Sequence, residues 1–142
     1  MLFPKKVKFR KWQMGRKSKA SIARPETRGT TLAFGSFGLK AVAPARVRSN
    51  QIESARKVVA RYVSKTGKVW IRIFPDRPYT QKPAEVPMGN GKGDPQGYCF
   101  EVHPGRMIFE VDGVNDETAK KALSKAGAKL PFKTKVVARE HK

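Results

Sequence analysis

The chain has 142 residues, of which 39% are hydrophobic, and its 31 Lys and Arg against 11 Asp and Glu leave a formal net charge of +20. This length favours one domain with a modest core, and this charge favours a polyanionic partner, nucleic acid ahead of a membrane surface. No segment approaches the roughly 20 apolar residues of a membrane-spanning helix, and a single cysteine, Cys99, excludes an internal disulfide.

A basic arm begins the chain. Up to Lys19 it has eight cations, no acidic residue and the aromatic residues Phe3, Phe9 and Trp12. Such a segment buries too little apolar surface to fold alone, whereas its rings suit stacking on bases and its cations suit phosphates. We expect it to be disordered in isolation and to order on RNA; a solvated tail is the alternative, and transit peptides share this composition. The arm and a linker would span residues 1–28, and one folded domain residues 29–142.

The first half of this domain predicts a strand followed by a helix. Apolar pieces broken by glycines within residues 30–43 indicate a strand with a bulge or bend. A helix capped by Ser49 or Asn50, with Glu53 in the capping-box position, runs until Gly67 stops it. Its inner stripe would consist of Ile52, Ala55, Val59, Tyr62 and Val63. Its outer cations either face solvent or lie along an RNA backbone: Arg56, Lys57, Arg61 and Lys65.

The second half predicts four strands and another helix. The stretch "KVWIRIF", residues 68–74, has the period of a strand with two largely apolar faces, so we expect it to be central in its sheet. Two strands around residues 103–106 predict a hairpin. Asn115 then caps a helix whose inner stripe consists mainly of small residues, and a last strand follows within residues 129–140. This order predicts an α+β two-layer sandwich, with a mainly antiparallel sheet and two helices packed on it.

Enzyme chemistry finds little support. His103 adjoins a turn proline, His141 lies near the end of the chain and Cys99 sits in a strand pattern, so these residues supply neither a metal-ligand cluster nor a nucleophile and base. The stretch "VPMGNGKGDPQG", residues 86–97, has no Ser or Thr after Lys92, as a Walker loop needs. It also leads into a strand rather than a helix, unlike a dinucleotide fingerprint. We predict no catalytic residue, no metal, no cofactor and no small-molecule substrate.

That stretch belongs to a Gly/Pro-rich loop predicted over residues 75–97. Prolines upstream of it enforce extended and turn geometry. Without a nucleotide motif, the loop is either a generic mobile surface loop or a binding loop, since loops of this length inside a compact domain are often functional.

Five stretches, in order over nearly the whole chain, carry a more specific signal: "MLFPKKVKFRKWQMGR", "FGSFGLKAV", "QIESARKVVAR", "GKVWIRIFPDRPYTQKPAEVPMGNGKG" and "PGRMIFEVDGV". They resemble the L-sixteen family of bacterial large-subunit ribosomal proteins, whose eukaryotic and archaeal counterpart is called L-ten-e. The resemblance implies an α+β domain bound to large-subunit rRNA beside the A-site cleft, among other large-subunit proteins and away from membranes. It implies a cytoplasmic ribosome, with an organellar ribosome left open, and a glycine-rich loop that reaches toward A-site and P-site tRNA near the peptidyl-transferase centre.

The predicted function is therefore that of a structural constituent of the large subunit, not an enzyme; an extra-ribosomal RNA chaperone or nucleic-acid-binding module is the alternative. The loop tip facing tRNA, whose glycines allow close backbone approach and whose lysine adds charge, would be Met88, Gly89, Asn90, Gly91, Lys92 and Gly93. The predicted rRNA-binding residues are Lys5, Lys6, Lys8, Arg10, Lys11, Trp12, Arg16, Lys17, Lys19, Arg46, Arg48, Arg56, Lys57, Arg61, Arg72 and Arg77.

Two departures from the family pattern limit what the resemblance transfers. The segment of residues 17–31 is longer than the bacterial pattern, so contacts of Arg24 and Arg28 are not transferred. Pro87 stands where many bacterial members have an arginine, and that side-chain contact is not transferred either.

Overall fold

A computed structural model describes residues 2–12, 18–63, 66–81 and 91–139. In this part of the chain the helices are α1 (Lys19–Ala23), α2 (Ser49–Val63) and α3 (Asp116–Gly127). The strands are β1 (Phe37–Ala41), β2 (Ala45–Arg48), β3 (Lys68–Ile71), β4 (Arg77–Gln81), β5 (Asp94–Val102), β6 (Met107–Asp112) and β7 (Thr134–Ala138).

The strands form two antiparallel sheets rather than the single sheet expected. One has the order β3-β6-β1-β7 and the other the order β2-β5-β4. Helix α3 packs on β1, β6 and β7, and α2 packs on α3 and on β2, β3 and β5, so α2 lies across both sheets. The α+β class is confirmed. The core between these layers is apolar, and its largest fully buried members include Phe109, Leu39, Ile52, Met107, Ile108 and Leu123.

Both main helices lie where their periodicity predicts. In α2 the buried residues are Ile52, Ala55, Val59 and Val63, whereas Tyr62, which was also expected in this stripe, is only half-buried. In α3 they are Ala119, Ala122, Leu123 and Ala126. The Asn115 side chain accepts a hydrogen bond from the Thr118 N–H at 2.8 Å, which confirms the predicted N-cap. In both helices one apolar stripe faces the core, so local sequence was sufficient to locate them.

The start of α2 differs from the predicted capping box. The Gln51 side chain, rather than Glu53, reaches back and accepts from the Arg48 N–H at 2.8 Å. Glu53 instead accepts from Arg56 Nε at 3.2 Å, one turn further along. The cap therefore starts two residues before Asn50, because β2 leads directly into α2.

Strand β3 lies at a sheet edge, so the prediction that it is central was wrong. One of its faces is covered by α2. On the strand, Trp70 stacks with Phe34 of the segment before β1 at a centroid distance of 5.8 Å. Both faces of β3 are therefore apolar because a helix covers one and a loop residue packs on the other, although β6 is the only described strand beside it.

The predicted hairpin around residues 103–106 was also wrong in its pairing. The turn is present, but β5 pairs with β2 and β4, whereas β6 pairs with β1 and β3. The turn leads from one sheet to the other, and there Gly105, with φ of 99°, donates its N–H to the Ala41 carbonyl. A turn signal marks a reversal of the chain but leaves the choice of partner to the rest of the fold.

Strands β2 and β4 were missed, and the strand expected within residues 30–43 is shorter than its apolar pieces suggest. Strand β1 covers only Phe37–Ala41, with a register shift between Leu39 and Lys40 that matches the expected bulge. Strand β4 contains Pro78 and lies at a sheet edge, where a missing N–H is tolerated. It occupies part of the predicted loop 75–97, so the connection between β4 and β5 spans residues 82–93.

The segment before β1 is joined to the body by backbone hydrogen bonds. The Glu26 N–H donates to the Pro104 carbonyl at 2.9 Å, and the Met107 N–H donates to the Gly29 carbonyl at 2.7 Å. One ring nitrogen of His103, Nδ1, lies 3.1 Å from the Ile22 carbonyl of α1. The linker therefore runs along the turn that connects the two sheets.

Candidate nucleic-acid interface

Three arginines and a tyrosine lie on one face of the three-stranded sheet. Arg46 is paired with Glu101 across β2 and β5, and Cys99 of β5 is paired with both Arg48 and Arg77. Cross-strand partners share a face, as do alternate residues of one strand. We call Arg46, Arg48, Arg77 and Tyr79 the arginine face.

The charges of the arginine face are only partly balanced by its acidic residue. Glu101 lies 2.7 Å from Arg77 Nη1 and 3.5 Å from Arg46 Nε. The guanidinium carbon of Arg48 lies 4.9 Å from the centre of the Tyr79 ring, a cation–π contact. Among the described residues of this face, three cations and one carboxylate give a net positive charge that attracts anions.

Cys99 lies on the same side of the sheet as the arginine face and is buried there. Burial raises the pKa of its thiol and outweighs the opposing influence of Arg46, Arg77 and Arg48. The thiol therefore stays protonated at neutral pH and packs as a small hydrophobe, as the sequence predicted.

The basic arm meets the glycine-rich loop beside this face. Lys11 Nζ donates to the Lys92 carbonyl at 3.2 Å, and Lys92 Nζ in turn donates to the Trp12 carbonyl. The Trp12 ring centre lies 5.8 Å from the guanidinium carbon of Arg77. We call Lys11, Trp12, Arg77 and Lys92 the arm–loop junction, and it joins the arm, the loop base and the arginine face into one surface.

The remaining described arm residues are mainly exposed. Phe3 and Phe9 are 61% and 59% exposed, whereas Leu2 packs against the core. Four further arm cations are exposed: Lys5, Lys6, Lys8 and Arg10. Exposed rings between exposed cations are the arrangement that stacks on bases while neutralising phosphates.

The described base of the loop explains one of its glycines. Gly91 has φ of 94°, and a Cβ placed there would meet nothing within 4 Å. Glycine is therefore required by the backbone conformation rather than by crowding within the protein. Gly91 and Lys92 are exposed. The predicted tip residues Met88, Gly89 and Asn90, and also Pro87, lie outside the described residues.

Several predicted RNA-binding residues have intramolecular partners or lie elsewhere. Arg72 forms an ion pair with Glu110 and donates to the Thr31 carbonyl at 3.3 Å, and Arg56 is paired with Glu53. On the exposed side of α2 lie Lys57 and Arg61. The residues Arg16 and Lys17 and the side chain of Lys19 lie outside the described part of the chain. RNA binding by each predicted residue stays a prediction.

Glu110 organises the backbone next to Arg72. Its carboxylate is fully buried and accepts hydrogen bonds from the N–H groups of Ala33, Phe34 and Gly35 at 2.9, 2.9 and 3.1 Å. Burial raises the pKa of Glu110, but the Gly35 N–H, the Arg72 ion pair and the other two N–H groups outweigh it and lower this pKa. Arg72 and Glu110 thus hold the segment that precedes β1.

Three surface residues with suitable chemistry were missed by the sequence analysis. Tyr79 supports Arg48 on the arginine face, and Lys125 and Lys129 lie beside Lys57 and Arg61 of α2. The period-two spacing of Arg77 and Tyr79 would have indicated the first. The four-residue spacing of the two lysines would have indicated the others.

Metal-ligand clusters and membrane-spanning helices are absent from residues 2–12, 18–63, 66–81 and 91–139. Within those ranges there is no group of three or more His, Cys, Asp or Glu residues that could hold a metal ion. Nor is any helix there long and apolar enough to cross a membrane.

Comparison with known proteins gives a consistent answer over nearly the full chain. The family model described as ribosomal protein L16p/L10e matches residues 4–137. Proteins named large ribosomal subunit protein uL16 from Rhodopseudomonas palustris (strain BisB18), Afipia carboxidovorans and Nitrobacter hamburgensis are 55%, 53% and 54% identical over 139 residues. In each case the match covers 98% of this chain and 98% of the relative.

These names are those of structural ribosomal proteins and not of enzymes, in agreement with the sequence-based interpretation. The resemblance carried by the five sequence stretches is confirmed by the matched residues 4–137. The chain therefore belongs to the ribosomal protein L16p/L10e family.

Proposed function

We propose that this protein is a structural constituent of the large ribosomal subunit, where it binds large-subunit rRNA and presents loop 82–93 to A-site tRNA and, beside it, P-site tRNA. Other large-subunit proteins are its neighbours, and the ribosome in question is cytoplasmic. The proposal is supported by relatives named as large-subunit proteins that match this chain over 98% of its length.

The observation that carries the proposal is the arm–loop junction. The Lys92 ammonium group donates to the Trp12 carbonyl, so the base of the loop is hydrogen-bonded to the end of the arm. RNA that holds the arm would therefore also hold the base of the loop. Contacts to phosphates set the position and orientation of a bound protein, which suits an arm that anchors a loop.

The arginine face continues this surface and suits RNA rather than a small ligand. The Tyr79 ring supports the Arg48 guanidinium, which limits the side-chain entropy that Arg48 loses on binding a phosphate. Arg46 is half exposed, with a side chain that is 51% accessible. A planar, preoriented guanidinium and an accessible one beside it are suited to phosphate oxygens on neighbouring nucleotides.

Sedimentation with ribosomal particles tests this function against its alternative. We expect the tagged protein to sediment with large subunits and to remain bound after washing at high salt, because many contacts hold it. An extra-ribosomal RNA chaperone would bind unstructured RNA and leave large subunits at such salt, since its phosphate contacts are weakened. Recovery of the protein only in the unbound fraction would contradict the proposal.

A loop variant separates anchoring from action on tRNA. Replacing Gly91, Lys92 and Gly93 by alanine should leave the fold and subunit incorporation nearly intact, because these residues contribute nothing to the core. Accommodation of A-site tRNA should slow about tenfold, since a side chain at positive φ costs roughly 1–2 kcal/mol and alters the loop path. Rapid-kinetic measurement of tRNA accommodation on variant ribosomes gives this rate.

Two single variants serve as controls for the loop variant. Gly105→Ala introduces the same kind of strain, with φ of 99° and its nearest neighbours 3.9 Å from a Cβ, in the turn between β5 and β6. It should leave accommodation unchanged. Lys92→Ala removes the ammonium group, with its charge and its hydrogen bond to the Trp12 carbonyl, and leaves both glycines in place. Normal accommodation by the triple variant would refute the tRNA assignment, and loss of incorporation would make the loop an anchor.

A further inference from the structure

A groove separates the outer surfaces of α2 and α3. It has a volume of about 570 Å³ and is lined by Ser54, Lys57, Val58, Arg61 and Tyr62 from α2 and by Lys125, Ala128 and Lys129 from the end of α3 and the turn after it. We call it the two-helix groove. None of its lining residues belongs to the arm, the arginine face or the arm–loop junction.

The charge of the two-helix groove is entirely positive. Its lining includes four cations and no acidic residue, and the nearby Glu53 of α2 is already paired with Arg56. Four like charges around one groove repel each other, and bound anions remove that repulsion. The helix dipole accounts for a lysine near the end of α3, but it does not account for Lys57 in the middle of α2.

The spacing of these cations fits a nucleic-acid strand. Lys57 and Arg61 are four residues apart on α2, so they are separated by about 6 Å along the helix axis. Phosphates of one strand of B-form DNA follow one another every ~3.4 Å of axis, so two cations at this separation are within reach of neighbouring phosphates of a nucleic-acid strand. Lys125, near the end of α3, and Lys129, in the turn after it, line the opposite side of the groove.

The apolar part of the groove is too small for a protein partner. Val58 and Ala128 are its aliphatic members, and the Tyr62 ring is occupied by Lys125 Nζ, 5.1 Å from the ring centre. Protein interfaces usually depend on buried aromatic or apolar anchors surrounded by a polar rim. Four cations around an apolar surface too small to bury a protein anchor favour a phosphate backbone over an acidic protein.

We infer that the two-helix groove is a second RNA-binding site, which holds the phosphate backbone of an rRNA segment other than the one held by the arm. This inference rests on the proposed function. It makes the protein a bridge between two rRNA segments, because the groove and the arm–loop surface have no residue in common.

Salt-dependent binding of full-length large-subunit rRNA by the full chain tests the inference. Lys125→Gln combined with Lys129→Gln should reduce the slope of log affinity against log salt by about 1.4–1.8, because two phosphate contacts are lost. Between 50 and 200 mM salt the affinity of this variant should then fall about 7–12-fold less than that of the parent. Lys120→Gln combined with Lys121→Gln is the matched control, with the same charge change on exposed positions of α3 that do not line the groove.

The outcomes are distinct. A reduced slope for the groove variant, with a parental slope for the control, supports the second site. Equal slopes for the groove variant and the parent would overturn it, and would leave an acidic protein as the occupant to consider. Equal reductions in both variants would overturn it as well, since net charge alone would explain them. If the parent itself fails to bind this rRNA, the proposed function fails instead.

Discussion

Replacing Glu110 by alanine is expected to destabilise the fold by about 3–5 kcal/mol, the largest effect of any single substitution proposed for this protein. The substitution removes a buried carboxylate and leaves the Arg72 guanidinium with an unbalanced charge. It also leaves the N–H groups of Ala33, Phe34 and Gly35 without their acceptor. Of these three residues Gly35 is buried, and a buried polar group that loses its partner retains the full cost of desolvation.

Urea unfolding measures this loss, and Glu53→Ala is its control. Glu53 is likewise paired with an arginine, but the pair lies on the surface of α2, so its removal should cost well under about 1 kcal/mol. A small effect at both positions would mean that Glu110 does not hold the segment before β1.

The same carboxylate predicts a pH dependence with a definite sign. The pKa of Glu110 is lower in the folded protein than in the unfolded chain. Its contribution to folding stability is therefore fully present above the unfolded pKa of about 4.3 and is lost as the pH falls through the folded pKa. Stability should therefore decrease on acidification below about pH 4.3. The Glu110→Gln variant should be less stable at neutral pH and should lose less on acidification. Parallel curves for the two proteins would exclude Glu110 as a cause.

Neutralising the arm should have the largest effect on RNA binding. With Lys5, Lys6, Arg10 and Lys11 all changed to glutamine, the salt slope for rRNA binding should fall by about 2.8–3.6, if each cation neutralises one phosphate. Across a fourfold rise in salt, this corresponds to an affinity loss about 50–150-fold smaller than that of the parent. Filter binding or fluorescence titration at several salt concentrations gives the slope.

A second quadruple variant controls for the change in net charge. Lys120, Lys121, Lys133 and Lys135 are exposed on and after α3, and none of them belongs to the arm, the arginine face or the two-helix groove. Their replacement by glutamine should lower the slope much less. An unchanged slope in the arm variant would remove the arm from the interface, and equal changes in both variants would show only a dependence on net charge.

The elements that the sequence determined by itself are those whose signal lies within a few residues. An apolar stripe every three or four residues locates α2 and α3. The N-cap of α3 is equally local, because the Asn115 side chain accepts its hydrogen bond from Thr118, three residues further along. The net charge of +20 and the acid-free arm indicate a polyanionic partner through composition alone. The five characteristic stretches also identified the family, because their residues and their order along the chain can be compared without knowledge of the fold.

Only the tertiary structure decided how strands choose partners. Strand β5 leads into a turn signal like that of a hairpin, yet it pairs with β2 and β4 rather than with β6. Strand β3 has two apolar faces like a central strand, yet it lies at an edge. Strand pairing depends on contacts between residues far apart in sequence. No local pattern specifies which distant strand forms hydrogen bonds with the backbone of a given strand.

Long-range contacts also decide which partners the predicted RNA-binding arginines meet. Arg72 and Arg77 are five residues apart and were assigned the same role from sequence. In the folded chain Arg72 meets the buried Glu110, whereas Arg77 meets Glu101 and Trp12 beside the loop. The charge of a residue is written in the sequence. Which carboxylate meets that charge, and on which surface of the protein, depends on neighbours that are brought close only by folding.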